Sequence, residues 1–305
     1  VSVGLLWVGI LFVFRPRGPV HSPGQDGAVE PAARNSTAMR IATWNVNSLR
    51  ARLGRVQAWL DEAQPDILCL QETKLAQDDF PTESFISQGY ESIHFGQGRW
   101  NGVAILSRVG LEGGLRGFGD LDDPTGGEAR IVSANCGGVN IISVYVPNGR
   151  EIGHEQYDIK LTWLRQLKAY VEKRFTPDDP LIVTGDFNIA PDDRDIWSPK
   201  RFAGKTHVSQ PERDALTDLE SWGLIDIVRE RNEEDRIFTF WDYRMGAFHR
   251  GWGMRIDLHL VTRPVAEKTT WSLIDTYPRR SLGRDDKPSD HTVVFIDVDI
   301  PQPAQ

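Results

Sequence analysis

The sequence predicts a single layered domain of mixed α and β structure, and three observations lead to it. Short runs of β-branched and apolar residues recur along the chain, and several stop at a polar or acidic residue. Two longer segments between such runs carry apolar residues at helical spacing. At 305 residues, with 40% hydrophobic side chains and ten tryptophans, the chain is long and apolar enough to bury a large core within one catalytic domain. That composition excludes disorder, and a mean hydropathy of -0.38 excludes a protein with many membrane spans.

Residues 1–38 differ from the rest. Val1 to Phe14 is apolar and then meets Arg15, Pro16 and Arg17, which is short for a membrane span and places positive charge on the wrong side for a secretory signal. A Pro, Gly, Ala and Ser tract follows from Gly18 to Ala38. Between a membrane anchor and an unstructured or mis-started extension, the second is expected. Met39 directly precedes the first strand, and Val1 suits a non-AUG start. The domain is therefore expected over 39–301, with 302–305 a tail.

Arg40 to Arg50 begins as a strand and ends in the polar pair Asn45 and Asn47. A helix is expected from about Arg50 to Ala63 on the spacing of Leu53, Val56 and Leu60, with Pro65 ending it. Pro65 to Lys74 gives a buried strand that finishes at Glu72, a residue type that is often only a turn former there. Gly102 to Ser107 and Arg130 to Asn135 read as strands, with the Gly-rich segment from Gly110 to Gly127 as the loop between them. The strand from Val139 leaves the core at Tyr145, where a half-buried packing role competes with a phenol aimed into a pocket. Tyr157 to Phe175 reads as a helix with Ile159, Leu161, Leu164, Leu167, Ala169 and Val171 inward.

Leu181 to Pro191 is the most informative stretch. An apolar strand reaches Gly185, and Asp186 and Asn188 follow two residues apart, which on a strand puts them on one face. Such a pair can bind a cation or water and take a proton, and Gly185 leaves room for a substrate backbone. A polar strand end capping a turn is the plainer alternative. Between Arg194 and Arg213 five basic residues stand against two acidic ones, a net of +3, alongside Trp197 and Phe202. Leu216 to Trp222 gives a short helix. The aromatic stretch from Phe238 to Leu260 interleaves rings with Arg244, Arg250 and Arg255, which suits bases and phosphates as well as core packing. Asp257 and His259 share a strand face, His259 being expected as a supporting or surface group. Asp290 and His291 place an acid and an imidazole where the last strand begins, after Pro288.

A formal net charge of -8 does not suit a protein that grips nucleic acid by bulk positive charge, because neutralising phosphates takes Lys and Arg at the contact. A polyanionic substrate must then meet a local basic patch or a metal. Cys69 and Cys136 are too few for a structural zinc site, and buried free thiols in a reducing compartment are expected rather than a disulfide.

Seven segments in order from Met39 to Ile300 resemble the exonuclease III branch of the endonuclease, exonuclease and phosphatase superfamily, that is, AP endonucleases. They are Ile41 to Arg50, Leu70-Gln-Glu-Thr-Lys74, Trp100 to Ser107, Val144-Tyr-Val-Pro-Asn148, Thr184-Gly-Asp-Phe-Asn188, Phe240-Trp-Asp-Tyr-Arg244 with Arg255-Ile-Asp257, and Lys287-Pro-Ser-Asp-His291. The resemblance implies a four-layer α/β/β/α sandwich, two mixed β-sheets face to face with helices outside. It also implies a DNA repair hydrolase acting on double-stranded DNA at abasic sites and 3′ ends, monomeric, cytoplasmic and nucleoid-associated, with no membrane partner.

Carried over by position, the resemblance makes Glu72 the principal ligand of Mg²⁺, for which Mn²⁺ can substitute, with Asn45, Asp186, Asn188, Asp290 and His291 around the ion. It makes Asp186 the group that orients or deprotonates water, helped by Asn188; Asp257 fixes His291, which stabilises phosphate charge, and Tyr145 supports the phosphate or leaving oxygen. The residues it turns toward DNA are Arg50, Lys74, Asn148, Arg150, Arg201, Phe240, Trp241, Arg244, Met254 and Arg255. Met254 stands where several relatives carry tryptophan, so the pocket for an abasic sugar is expected from Phe240, Trp241 and Ile256 with a softer wall. Asn47 replaces the aspartate of some relatives, which would shift occupancy toward one metal position. Two other readings remain open: a phosphatase or phosphodiesterase of a small phosphorylated molecule, and a non-catalytic DNA-binding relative.

Overall fold

The computed structural model describes residues 38–281, 283 and 286–300; the expected N-terminal extension, apart from Ala38, and the tail lie outside them. The described residues begin with β1 (Met39–Asn45), α1 (Leu49–Ala63) and β2 (Ile67–Gln71), then α2 (Thr82–Ile86), β3 (Glu91–Phe95) and β4 (Val103–Ser107). It continues through β5 (Glu112–Arg116), β6 (Ile131–Cys136), β7 (Val139–Tyr145), α3 (Glu155–Arg174) and β8 (Leu181–Asp186). The last third holds α4 (Pro199–Phe202), α5 (Gln210–Trp222), β9 (Leu224–Asp226), α6 (Ile227–Arg231), β10 (Asp257–Thr262), α7 (Arg263–Ala266), β11 (Thr269–Asp275) and β12 (Val293–Val298).

One six-stranded sheet runs β11-β12-β1-β2-β4-β3 and the other β5-β6-β7-β8-β10-β9. Each has one parallel pair at its centre, β1 with β2 and β7 with β8, joined by a helix on the outer face, and antiparallel strands elsewhere. The sheets share this plan without a sequence repeat. Ile41, Ile67, Cys69 and Ile105 of the first pack against Val132, Ile141, Ile182 and Val261 of the second, forming the inner core. Val56, Trp59 and Leu60 of α1 cover the outer side of the first sheet; Trp163, Leu167 and Tyr170 of α3, with Leu216 and Leu219 of α5, cover the second. The fold is thus the expected sandwich of four layers. Central strands are apolar throughout because both faces are buried.

Several local expectations change. The segment Gly110 to Gly127 contains β5, an exposed edge strand whose glycines hide its pattern. α5 starts at Gln210 rather than Leu216, because Ser209 and Glu212 form a reciprocal capping box. On α3 the buried face is Tyr157, Lys160, Trp163, Leu164, Leu167, Tyr170 and Val171, so Ile159, Leu161 and Ala169 are only partly covered. The freedom of Gly185 serves the sheet and not a substrate: φ is +140°, and a Cβ there would stand 2.0 Å from the Val144 carbonyl oxygen of neighbouring β7. Cys69 and Cys136 are buried free thiols.

His259 is neither at the surface nor in the cleft. It lies buried between the sheets, its Nε2 3.1 Å from the Val294 carbonyl oxygen. Burial holds its pKa down at about 4, and likewise that of His94, which stacks on Phe80 with ring centroids 4.3 Å apart. A neutral imidazole in the fold and an ordinary one in the unfolded chain make stability complete above about pH 6.5 and declining toward pH 4 as the unfolded chain takes up protons. His259→Gln keeps a donor for Val294 and does not titrate. Chemical denaturation at pH 7.5 and 5 is expected to show the parent losing about 2 kcal/mol more than this variant; equal losses would mean that His259 is not held neutral.

Candidate active site

Both parallel pairs end at the same edge of the sandwich. Asn45 closes β1, and Glu72 follows β2; Tyr145 closes β7 and Asp186 closes β8, paired in register. Asp257 opens β10 directly opposite Asp186, and His291 precedes β12. Residues from both sheets therefore meet where parallel strands finish, the usual ligand position in such sheets. Glu72, Asp186 and His291 each present a ligand-type atom, all within 4.8 Å of one another.

One side chain ties the two sheet ends together. The Asn45 amide nitrogen donates to Glu72 Oε1 and to Asp186 Oδ2, both at 2.8 Å, and its oxygen accepts from the Asn47 backbone. Glu72 (φ 50°) and Asn47 (φ 43°) adopt left-handed backbone, and the Ser48 and Leu49 amides bond the carbonyls of Glu72 and Thr73. These bonds hold the start of α1 against the exit of β2. Asn188 is likewise left-handed at φ 52°. It meets Asp186 through a turn, its backbone N–H bonding Asp186 Oδ1, rather than by strand alternation. The Asn188 side chain bonds the Val146 carbonyl and accepts from Asn148.

Electrostatics separate the roles these groups can take. Burial pushes Asp186 up to about 7, with the positive charge of His291 pulling the other way. Burial also opposes charge on His291, but the carboxylates of Asp257 (2.8 Å from Nδ1) and Asp186 (3.8 Å from Nε2) overcome it and raise the imidazole to about 10. Without a metal His291 is accordingly an imidazolium, a hydrogen-bond donor to Asp257 through Nδ1. Glu72 would be raised by burial, yet the Lys74 ammonium at 2.9 Å and the Asn45 amide lower it. Tyr145, half-buried beside Glu72 and Asp186, is raised well above its ordinary value by desolvation and by those carboxylates, and stays protonated.

The cleft over these groups has a volume of about 440 Å³ and includes Tyr145, Asn148, Asn188, Asp290, Met254 and Ile256 in its lining. A second groove of about 620 Å³ continues from it through shared residues Asn148, His207, Phe240, Arg244 and Met254. There Trp197 and Trp252 stack 4.8 Å apart, with the Arg201 guanidinium 5.2 Å from the Trp197 ring. Two expected DNA contacts are not available. Arg255 is fully buried and paired with Asp195 and Asp226, and Trp241 is buried against Phe238 and Phe248, so the cleft wall is Phe240, Met254 and Ile256 without Trp241. Arg50 lies outside both clefts, paired with Asp79; Arg150 is exposed beside His154.

Asn47, the second member of the polar pair after β1, donates to Asp290 Oδ1 at 3.0 Å. The structure adds residues that the sequence reading passed over. Lys160, fully buried, donates to the Asn188 carbonyl at 2.8 Å and pairs with buried Glu212, and His207 Nδ1 lies against that carbonyl as well. Lys160 was readable, since it sits three residues from both Tyr157 and Trp163 on the buried face. Nothing in the loop around His207 marked it.

Residues 42–291 match the model of the Endonuclease/Exonuclease/phosphatase family. The exodeoxyribonuclease III of Haemophilus influenzae is 32% identical over 271 residues, covering 85% of this chain and 99% of its own. An AP endonuclease from Archaeoglobus fulgidus superposes with a TM-score of 0.81 at 38% identity, over 86% of this chain and 100% of its own. A 3′ phosphatase from Neisseria, solved with a product DNA hairpin, gives 0.80 at 35% identity, over 86% and 99%. Among the described residues no helix is long and apolar enough to cross a membrane.

If Asn45 holds the two carboxylates together, Asn45→Ala leaves them facing each other without their shared donor. A loss of about 1–3 kcal/mol in chelator is expected, read as a lower Tm. An unchanged Tm would show that the bridge does not join the sheet ends.

Proposed function

The chain belongs to the endonuclease/exonuclease/phosphatase family, in its exonuclease III branch of AP endonucleases, and from that membership we propose how its site hydrolyses DNA. It is a divalent-metal-dependent DNA repair nuclease acting on abasic sites. We infer that it cleaves the backbone there and removes 3′ phosphates, other 3′ blocking groups or nucleotides, as a cytoplasmic, nucleoid-associated monomer using Mg²⁺ or, in its place, Mn²⁺. The observation that carries this is the meeting of Glu72, Asp186 and His291, from three strands of two sheets, within 4.8 Å.

The donors fit a hard divalent cation. Glu72 and Asp186 offer carboxylate oxygens, and they attract positive partners, the Lys74 ammonium and the Asn45 amide, to the same spot. Glu72 and Asp186 would hold the ion, with Asp290 nearby and the Asn45 amide turned to present its oxygen. When bound, the ion supplies charge stabilisation at the phosphate oxygens.

The rest is done by the chain. Asp186 and Asn188 orient a water in line with the scissile bond, and Asp186 takes its proton as the new P–O bond forms. The P–O3′ bond breaks and its electron pair leaves with the 3′ oxygen. His291, held by Asp257, donates to a non-bridging oxygen as charge builds there. Tyr145, protonated at neutral pH, donates to the leaving oxygen. Lys160, His207 and Glu212 fix the Asn188 turn from beneath.

An abasic sugar fits the wall of Phe240, Met254 and Ile256, and the groove with Arg201, Arg244, Trp197 and Trp252 takes the flanking duplex. Asn148 lines both cleft and groove, while Lys74 beside Glu72 and Arg150 beside His154 are the further cations offered to the backbone. This run of cations and rings favours DNA over a small phosphorylated molecule, which has no use for a groove of about 620 Å³ beyond the cleft.

With Mg²⁺, wild-type protein is expected to cut an abasic duplex and to clear a nicked 3′ phosphate in a gel assay, and chelator to abolish both. Asp186→Asn keeps the Asn45 contact and is expected to lower kcat by on the order of a thousandfold. Uncut duplexes alongside rapid hydrolysis of a small phosphomonoester would favour the other reading; no hydrolysis of either would favour a non-catalytic relative.

A further inference from the structure

The second sheet carries its functional groups as one row. Asp257 stands opposite Asp186 across β10 and β8, and Asp186 stands beside Tyr145 across β8 and β7, so the three lie level with one another at the rim. Tyr145 is half-buried and packs against the inner core between the sheets. The row continues for one more strand. β6 pairs with β7 in a register that sets Ile131 against Val144, and one step further toward the rim the same register sets Arg130 against Tyr145. The Tyr145 backbone N–H donates to the Arg130 carbonyl there at 2.7 Å.

Arg130 is buried, and its guanidinium lies over the Tyr145 ring, 4.8 Å from the centroid. Its Nη1 donates to the Tyr145 carbonyl at 3.3 Å, and its Nε donates to the Glu128 carboxylate, which supplies the counter-charge. A cation over a phenol ring attracts the ring face, more strongly where water is kept out, so the pair resists rotation of the ring. The arginine is in turn tied to the first sheet. The Gly102 N–H donates to the Ala129 carbonyl at 2.9 Å, and the carbonyls of Gly102 and Asn101 accept from the N–H groups of Thr73 and Lys74 at 3.1 and 2.9 Å. A short run of backbone bonds therefore joins the segment that carries Arg130 to the residues that follow Glu72. The phenol is held from one side by its own strand and from the other by a group anchored to the exit of β2.

We propose that Arg130 is a positioning residue for the hydrolysis: its guanidinium holds the Tyr145 ring in the orientation that presents the hydroxyl to the leaving 3′ oxygen. This role rests on the donor function given above to Tyr145. Without the cation the ring turns about its side-chain bonds and spends only part of its time aimed at the leaving group, which lowers turnover while leaving the binding of the duplex nearly untouched.

Arg130→Met removes the charge and keeps most of the bulk, and Arg130→Lys restores a cation. On an abasic duplex with Mg²⁺, Arg130→Met is expected to lower kcat by about ten- to thirtyfold with KM within about twofold, and Arg130→Lys to recover part of the loss. In a Tyr145→Phe background, which has no hydroxyl to aim, Arg130→Met is expected to cost less than about twofold more. The same loss in both backgrounds would mean a merely structural arginine and overturn the proposal. Glu128→Gln, at a half-buried position, loosens the guanidinium and reads the effect in weaker form should Arg130→Met fail to fold. Fluorine NMR of 3-fluorotyrosine at position 145 reads the ring without turnover. Its resonance is expected to move toward the unfolded-chain position in Arg130→Met and to stay in place in Arg130→Lys; an unmoved resonance in Arg130→Met would also overturn the proposal. Wild-type protein that cuts no duplex would defeat the nuclease reading instead, and Tyr145→Phe with wild-type kcat would defeat the donor function; in either case the fluorine signal still decides whether Arg130 holds the ring.

Discussion

Two carboxylates from different sheets, one buried and one half-buried, cannot sit together unless something positive or hydrogen-donating stands between them. Here Glu72 and Asp186 are bridged by one amide, that of Asn45, and flanked by the Lys74 ammonium and the His291 imidazolium. The geometry of the edge follows from that need. The left-handed turns at Asn47, Glu72 and Asn188 aim the groups inward, and Asp257 and Lys160 hold the next layer in place. A site so rich in negative charge is stable as a fold and ready for a divalent cation for the same reason.

The common plan of the two sheets explains why such distant residues meet. Each supplies a parallel pair with its helix on the outside, and packing the sheets face to face puts both sets of strand ends on one rim. The polar contacts from Gln71 to Ser143 and from His259 to Val294 cross the inner core and lock this pairing. Net acidity does not prevent binding of a polyanion. Much of the acidic charge is consumed internally, as in Asp195 and Asp226 around Arg255, while Arg201 and Lys205 remain along the groove.

Much of this was legible in the sequence. Strand after strand ended in Asn45, Glu72, Tyr145 or Asp186, and apolar runs without alternation gave strands covered on both faces. What stayed hidden had physical reasons. Arg255 and Trp241 looked like surface contacts because residue type does not reveal burial, which here is set by partners 29 to 60 residues away for Arg255. Gly185 suggested space for a ligand, whereas its neighbour is the next strand's carbonyl. The edge strand β5 lacked any apolar stripe.

The most direct test is anomalous scattering from a crystal soaked in Mn²⁺. The account predicts a strong peak on the rim between the sheets, roughly 2.2 Å from oxygens of both Glu72 and Asp186, with the Asn45 amide displaced from its bridging position. A fully occupied peak elsewhere, with Asn45 still spanning the two carboxylates, would contradict it.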